Sequence, residues 1–291
     1  MQEDTTTSHE PLEAPQSAPS WGPYVVGAAL ILCFAQYLGW MLDRWWRDEY
    51  YGHGLLIPLI CGYIVYRQLP LYKSLPRERQ APGLAVMVLG LALHLLATWK
   101  DVNFVSGFAF LITLYGAVIW LWGWPVARAA AFPVAFMAFG VPLGRVLVDM
   151  FAQPMQLFSA QLGGGFSQAI GVPTKVEGTT VRLPEYTFEV AVACSGLKTI
   201  ISMSALGALY AWLVEAAMYK RVVLFLASFP VAVLANAARI ATTLVLGHIF
   251  GQKAAEGFFH TASGLIVFMY ALIGLFAVGG LLRCTKMRDD I

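Results

Sequence analysis

Long apolar runs separated by short polar segments dominate the chain. A transmembrane helix needs about 20 consecutive, mostly apolar residues, and about eight runs approach that length. They lie near residues 24–42, 53–69, 82–99, 104–122, 125–142, 193–214, 222–249 and 259–282. Pro58 and Pro133 interrupt the second and fifth runs, so about seven to nine spans fit the pattern. The sequence therefore predicts an all-α polytopic membrane protein with about eight transmembrane helices.

Residues 145–192, before the sixth run, have a different pattern. An amphipathic stretch comes first, interrupted by the glycines at 163–165, and this is typical of one or two helices lying at the membrane interface. Alternating, β-branched residues then predict two strands around a turn at Leu183, Pro184 and Glu185. Because an open sheet edge cannot lie in hydrocarbon, we expect this small β-hairpin at an aqueous surface.

The distribution of basic residues predicts the orientation, because cytoplasmic loops carry the excess of Lys and Arg. Basic residues cluster after the second run, after the sixth run and in the C-terminal tail. They are Arg67, Lys73, Arg77, Arg79, Lys220, Arg221, Arg283, Lys286 and Arg288. With eight spans, all of them fall on one side. Both termini are then cytoplasmic, and residues 145–192 form an extracytoplasmic insert, although Arg44 and Arg47 lie on the outer side.

Composition supports a single integral membrane domain over residues 21–285. The chain is 58% hydrophobic and 12% charged, far from the values of soluble domains. Residues 1–20 are polar and predict a disordered cytoplasmic tail, and residues 286–291 form a second cytoplasmic tail. A net charge of +2 is too small to indicate nucleic-acid binding. The four cysteines form no CxxC pair, so neither a disulfide framework nor a zinc site is indicated.

The seventh run contains a single charged side chain, Arg239. An arginine in hydrocarbon costs roughly 3 kcal/mol or more, so it marks a functional site by default. The alternative is an arginine that extends to the interface or pairs with Asn236, one turn earlier. Arg239 lies about 27 Å of helix beyond Arg221, against a hydrocarbon core of about 30 Å. We therefore expect Arg239 near the outer boundary of the membrane.

Two further reactive residues begin runs on the same predicted side. Cys194 lies where the hairpin leads into the sixth run, and His260 opens the last run. A cysteine is nucleophilic as the thiolate, which a helix N-terminus and a nearby cation favour. Histidine can pass a proton to a leaving amine, and a desolvated arginine can stabilise an oxyanion. Cys194, Arg239 and His260 together predict acyl transfer through a thioester.

Residues next to this set are candidates for supporting roles. Ser195 is compatible with capping the helix that follows Cys194, and Asn236 lies one turn before Arg239. Lys198 follows Cys194 by one helical turn; it either adds positive field near the thiol or extends to the interface. Both interpretations of Lys198 remain open at this point.

The remaining histidines are weaker candidates for the site, with one exception. His53 lies at the outer start of the second run, between Gly52 and Gly54, which permit close backbone approach. It is a rival for a place in the site. His94 lies in the middle of a run with no evident partner, and His248 is expected to face lipid headgroups at the outer end of the seventh run.

The segments "ACSGLKTI", "NAARI" and "HTASGLIVF", in that order, resemble the exosortase/archaeosortase family of membrane cysteine transpeptidases. The segments "YYGHGLLIPLI", "FPVAFMAFGVP" and "GVPTKVEGTTVRLP" are also similar to that family. The resemblance covers most of residues 45–280. It implies that Cys194 is the nucleophile, His260 the general acid/base and Arg239 the stabiliser of the transition state. Lys198 replaces the family's usual arginine, which keeps the charge but loses the planar fork.

The resemblance also implies substrates and a location. The substrates would be exported proteins whose C-terminal sorting signal contains a short motif such as PEP (a PEP-CTERM signal), a transmembrane helix and a basic cluster. The enzyme would be a multi-pass protein of the cell (inner) membrane, with its site on the extracytoplasmic side and no cofactor. The acyl group would pass to a lipid, a glycan or water, and the sequence leaves these acceptors open.

Two other functions are alternatives to a protease or transpeptidase. A small-molecule or anion transporter would use Arg239 to bind an anion, with proline- and glycine-broken spans forming the pathway. That function predicts internal repeats, and none is evident between the halves of the chain. A metalloenzyme with Cys194 and histidines as ligands is disfavoured, because no HExxH or similar ligand spacing is present.

Overall fold

The structure is a computed structural model that describes residues 21–191, 195–251 and 258–288, without the side chains of 145–147 and 258–263. Two compact units are present, Met1–Leu38 with Leu69–Ala135 and Gly39–Gln68 with Phe136–Ile291. The α-helices within the described residues are α1 (Gly22–Cys33), α2 (Ala35–Arg47), α3 (Leu56–Arg67), α4 (Leu69–Ser74), α5 (Ala81–Trp99), α6 (Asn103–Ala129), α7 (Ala131–Phe136), α8 (Arg145–Ala169), α9 (Leu197–Leu213), α10 (Met218–Phe250) and α11 (Phe258–Leu281). Short 3₁₀ helices cover Gly52–Leu55 and Met137–Gly140.

Membrane-spanning helices are fewer by length than the hydropathy pattern predicts. Among the described residues, four helices are long and apolar enough to cross a membrane: Ala81–Trp99, Asn103–Ala129, Met218–Phe250 and Gly264–Leu281. Helices α1 and α2, bent by 69° at their junction, count as a fifth if they form one span. The other predicted spans fall on shorter helices, such as α3 with 12 residues and α9 with 17. The eight-span topology therefore stays a prediction.

The first unit is held together by close packing of α5 against α6. Glycines at the contact remove side chains where the helices meet: a Cβ on Gly83 would overlap the backbone of Trp120, and one on Gly90 would overlap Thr113. Small residues that let backbones approach are typical of helix pairs in membranes, where dispersion contacts replace the hydrophobic effect.

His94 is a structural residue of this unit. Its Nδ1 lies 3.1 Å from Ser106 Oγ, its Nε2 lies 3.2 Å from the carbonyl oxygen of Cys33, and its ring stacks on Phe34 at 4.1 Å. The expectation that His94 lacks a partner is wrong. Its partners lie on α1 and α6, so spacing along α5 does not reveal them.

In the second unit, α10 packs against α8, α9 and α11. The core between α9, α10 and α11 includes Met203, Leu224, Ala232, Ala271 and Leu275. At one end of these helices the C-terminal segment folds back, where Lys286 pairs with Glu215 and Lys220 donates to the carbonyl oxygen of Leu282. Two of the basic segments assigned to the cytoplasm are therefore in contact.

Helix α8 is continuous through its three glycines, contrary to the predicted break. A Cβ on Gly163 would overlap Ile240 of α10, and one on Gly164 would overlap Val176 of the adjacent sheet, whereas Gly165 faces open space. The first two glycines therefore allow close packing on both sides of the helix and do not end it. Whether α8 lies at the membrane interface stays a prediction.

A three-stranded antiparallel sheet, rather than a single hairpin, precedes α9. Its strands are β1 (Lys175–Glu177), β2 (Thr180–Arg182) and β3 (Thr187–Glu189), in the order β1-β2-β3. Strands β2 and β3 flank the turn predicted at 183–185, whereas β1 was not predicted. Val181 and Phe188 of the sheet join a core with Ile240 and Leu244 of α10. The sheet therefore covers the C-terminal half of α10, where Ile240 directly follows Arg239 in the chain.

Candidate active site

The residue that follows Cys194 in the chain is fixed by a buried hydrogen-bond chain. Ser159 of α8 donates its hydroxyl to the carbonyl oxygen of Ser195 at 2.9 Å. Asn236 of α10 donates from Nδ2 to Ser159 Oγ at 3.0 Å. All three residues are buried, and Asn236 is 0% exposed. Buried polar groups of this kind order the elements that carry them, so the start of α9 is tied to both α8 and α10.

Gly196 completes this junction because no larger residue fits there. Its φ of +85° lies in the left-handed region, where other residues are strained. A Cβ at this position would lie 2.8 Å from Asn236 Nδ2. Helix α9 begins at the next residue with Gly196 as its N-cap. The expected capping by Ser195 is weak, since its Oγ accepts from the backbone N–H of Leu197 at a long 3.4 Å.

Arg239 lies on α10 one helical turn after Asn236 and is buried, with 8% of its surface exposed. An arginine extended to the interface would be exposed, so burial argues against that alternative. Among the described residues, no carboxylate lies within 4.0 Å of its guanidinium. A buried charge is costly unless something compensates it. This arginine is therefore suited to an anion or to a charge that forms during a reaction.

A clamp formed by Trp45 of α2 with Tyr51 and His53 of the "YYGHG" segment holds the loop that leads into α8. The Trp45 indole N–H donates to the carbonyl oxygen of Gly140 at 2.7 Å, and the Tyr51 hydroxyl accepts from the N–H of Leu143 at 2.9 Å. His53 Nε2 lies 3.2 Å from the carbonyl oxygen of Phe139. Sequence reasoning identified His53 but missed Trp45 and Tyr51. Tyr51 lies in one of the two segments that resemble the same family, and the fold brings these segments into contact. Trp45 precedes them and carried no such signal.

Burial perturbs the titration of Tyr51 and His53, the two groups of the clamp that lie between α2 and α3, outside the candidate spans. Burial lowers the pKa of His53 from its ordinary 6.5; the carbonyls of Phe139 and Tyr50 oppose this shift, and the positive charge of Lys198 adds to it. Burial raises the pKa of Tyr51 to about 12. His53 is therefore neutral at pH 7 and donates one proton to a backbone carbonyl.

Lys198 and His53 line the same cleft, whose volume is about 560 Å³. Lys198 lies in the first turn of α9, and its Nζ is 4.0 Å from Glu49 Oε2. The cleft brings the "YYGHG" segment next to the helix that follows Cys194. His248, by contrast, lies 3.2 Å from a Glu185 carboxylate oxygen in the turn of the sheet, so its ring faces the protein as well as the surface.

Two residues of the predicted set lie wholly or partly outside the described residues. Cys194 is among residues 192–194, which the structure does not describe. His260 is the third residue of α11, and its side chain lies outside the part of the chain that the structure describes. The described site thus consists of Arg239, the residues that tie α9 to α10, and the cleft beside Lys198.

A match to a known protein family covers these same residues. The family model described as transmembrane exosortase matches residues 45–277. The chain belongs to the transmembrane exosortase family. Comparisons with curated proteins and with solved structures found no match. The matched region begins at Trp45 of the clamp and contains α8, α9 and α10, so every part of the described site belongs to it. The family resemblance seen in the sequence is confirmed.

Membership establishes the general character of the protein. Exosortases are membrane proteins of cysteine peptidase and transpeptidase type, in agreement with the long apolar helices of this chain. The family match by itself assigns no role to an individual side chain. The roles of individual residues must come from the chemistry of the site.

Proposed function

We propose that this protein is a transmembrane cysteine protease or transpeptidase that cleaves C-terminal, PEP-CTERM-like sorting signals of exported proteins. The reaction proceeds through a thioester on Cys194 at the extracytoplasmic face of the cell membrane. The substrates carry a short motif, a transmembrane helix and a basic tail. The acceptor of the acyl group is a lipid or glycan amine in a transpeptidase, or water in a protease.

The observation that carries this proposal is the junction between α9 and α10. Ser195, bonded to Cys194, is tied through Ser159 to Asn236, one turn before Arg239. Consecutive Cα atoms are about 3.8 Å apart, so the segment with the thiol and the helix with the buried guanidinium are held together. Burial of Arg239 in a low-dielectric environment strengthens its field at a nearby oxyanion.

The proposed reaction has two acyl-transfer steps. Cys194 Sγ attacks the carbonyl carbon of the scissile peptide bond, and the guanidinium of Arg239 stabilises the oxyanion that forms. The C–N bond then breaks, and His260 passes the thiol proton to the leaving nitrogen, so that the transmembrane helix of the substrate departs as an amine. The acceptor next attacks the thioester carbonyl, His260 takes its proton, and the thiolate is released.

A reporter substrate tests this proposal in membranes that contain the enzyme. The reporter carries a C-terminal PEP motif, an apolar helix of about 20 residues and an arginine-rich tail. We expect wild-type enzyme to shorten it, the Cys194→Ala variant to leave it intact, and Cys33→Ala, a change at an exposed cysteine of α1, to process it normally. Arg239→Gln should reduce the rate by about 10²- to 10³-fold, the usual effect of losing an oxyanion donor.

The opposite results are equally clear. Full processing by Cys194→Ala would exclude the thioester. An enzyme that leaves all such reporters intact, but moves a small anion across liposomes in an Arg239-dependent manner, would instead support the transporter function. In that case Cys194→Ala should transport as well as the wild-type protein.

A further inference from the structure

The cleft beside the first turn of α9 has no part in the bond-breaking chemistry described above. Trp45, Trp46 and His53 line one part of it, and Lys198 and Ser202 of α9 line another. Its volume of about 560 Å³ falls within the range of about 300–1,000 Å³ that is usual for ligand sites. It is large enough to receive a side chain of a bound peptide together with part of its backbone.

Lys198 lines this cleft, and its positive charge is only weakly paired. Its Nζ is 4.0 Å from Glu49 Oε2, and the two side chains are 51% and 58% exposed. Ion pairs between side chains as exposed as these contribute little to stability, because water screens the charges and the side chains lose freedom. The ammonium of Lys198 can therefore exchange Glu49 for another carboxylate at little cost.

The neighbouring charges are paired within their own segment. Arg47 Nε lies 2.6 Å from Asp43 Oδ1, and Asp48 both pairs with Arg44 and accepts the N–H of Tyr50 at 3.0 Å. These pairs are made within the segment from residue 43 to residue 50. Within the described part of the cleft, the pair between Lys198 and Glu49 is the one that joins two different elements.

Lys198 is also close to the reacting thiol by chain connectivity alone. It is four positions after Cys194, and a fully extended chain spans at most about 3.3–3.6 Å per residue. The Cα atoms of the two residues are thus no more than about 14 Å apart. A substrate side chain that reaches Lys198 must belong to a residue within a few positions of the scissile bond.

We infer that this cleft binds an acidic side chain of the substrate near the scissile bond, with Lys198 as the partner of its carboxylate. Glu49 occupies the position of that carboxylate in the free enzyme and is displaced when substrate binds. The assignment rests on the proposed function, since it names the residue that selects the substrate. The positive end of α9 adds to the attraction, and the indole rings of Trp45 and Trp46 suit apolar or ring-shaped neighbours of the acid.

An experiment that reverses the charge on the substrate and on the enzyme tests this assignment. Three reporters differ only at the acidic residue of the motif, which is Glu, Gln or Lys, and kcat/KM is measured for each with full-length enzyme in membranes. Wild-type enzyme should prefer the Glu reporter over the Lys reporter by about 30-fold or more, because like charges at a binding site are strongly disfavoured. Lys198→Glu should reverse this preference. Lys100→Glu, the same change at an exposed lysine of the first unit, should not.

Further variants separate charge from folding. Lys198→Arg should retain the preference for Glu, and Lys198→Met should abolish it without creating a preference for Lys. Glu49→Gln should lower KM for the Glu reporter several-fold with kcat unchanged, because the competing carboxylate is gone. The amount and melting temperature of each variant in membranes are measured alongside, and the preference ratio is independent of the amount of enzyme.

Each outcome supports or overturns a separate claim. No processing of any reporter by the wild-type enzyme overturns the proposed function and this assignment with it. Processing that depends on Cys194 but is equally fast for Glu, Gln and Lys overturns the assignment alone. An equal loss on all three reporters in Lys198→Glu also overturns it, since the lysine would then act on the thiolate or on the fold rather than on the substrate.

Discussion

Replacing Gly196 with alanine tests the junction that places the cysteine segment against α10. The new Cβ would meet Asn236 Nδ2 at 2.8 Å, and Asn236 is fully buried and hydrogen-bonded to Ser159, so it cannot move away freely. A left-handed φ costs a non-glycine residue about 1–2 kcal/mol, and an overpacked buried contact adds about 1–3 kcal/mol. We expect the free energy of unfolding to fall by about 2–5 kcal/mol in total.

A matched control separates the two contributions. Gly171 has a φ of +93° with nothing within 4 Å of an added Cβ, so Gly171→Ala measures the backbone strain alone, about 1–2 kcal/mol. Unfolding of both variants is followed by denaturant titration in detergent, and their activity by processing of the reporter. Displacement of a reacting group by about 1 Å can cost about 10²-fold in rate. We expect a loss of that size in Gly196→Ala and none in Gly171→Ala.

A double-mutant cycle identifies the contact responsible. If the added methyl group acts through Asn236, the effects of Gly196→Ala and Asn236→Ala on stability should be less than additive, because the second change removes the atom that the first one meets. Additive effects would contradict this explanation. So would a Gly196→Ala variant that is as stable and as active as Gly171→Ala.

Three further predictions concern packing, the clamp and pH. Gly163→Ala should destabilise the protein through its contact with α10, whereas Gly165→Ala, in open space on the same helix, should stabilise it by up to about 1 kcal/mol; equal effects in denaturant titrations would exclude this packing role. Trp45→Phe should lower the free energy of unfolding by about 1–3 kcal/mol, because the buried carbonyl of Gly140 loses its donor, whereas Trp46→Phe, at a residue that is 81% exposed, should have little effect. Because burial lowers the pKa of His53, the unfolded state binds the proton more readily than the folded state. The contribution of neutral His53 to the free energy of unfolding should therefore be fully present above about pH 6.5 and be lost as the pH falls through the folded-state pKa. His53→Gln should flatten the dependence of the melting temperature between pH 8 and pH 5, and an unchanged slope would show that another group titrates.

The sequence predicts the local character of this protein well, because hydropathy is a local property. The long apolar helices and the different character of residues 145–192 both follow from runs of neighbouring residues. The turn between β2 and β3 was visible for the same reason. Strand β1 ends at Glu177 and β2 begins at Thr180, so the short turn between them does not separate the two strands in the hydropathy pattern.

The errors concern contacts between residues that are distant in the chain. Glycine in a helix lowers its intrinsic stability, which made the run at 163–165 resemble a break. Close neighbours on α10 and in the sheet override that preference in the fold. His94 appeared to lack a partner because its partners lie on other helices. The clamp formed by Trp45, Tyr51 and His53 could not be predicted for the same reason, since it holds a loop that lies 86 to 95 residues away in the chain.

The proposed reaction depends on a thioester at Cys194, and mass spectrometry of acid-quenched reactions detects this intermediate directly. Enzyme and reporter are mixed, quenched within a turnover and digested. We expect the peptide containing Cys194 to gain the mass of the reporter residues that immediately precede the scissile bond, and neutral hydroxylamine to remove this mass. Arg239→Gln should form the same adduct more slowly. Cleavage of the reporter with no adduct on Cys194, or with the adduct on another residue, would contradict a thioester at Cys194.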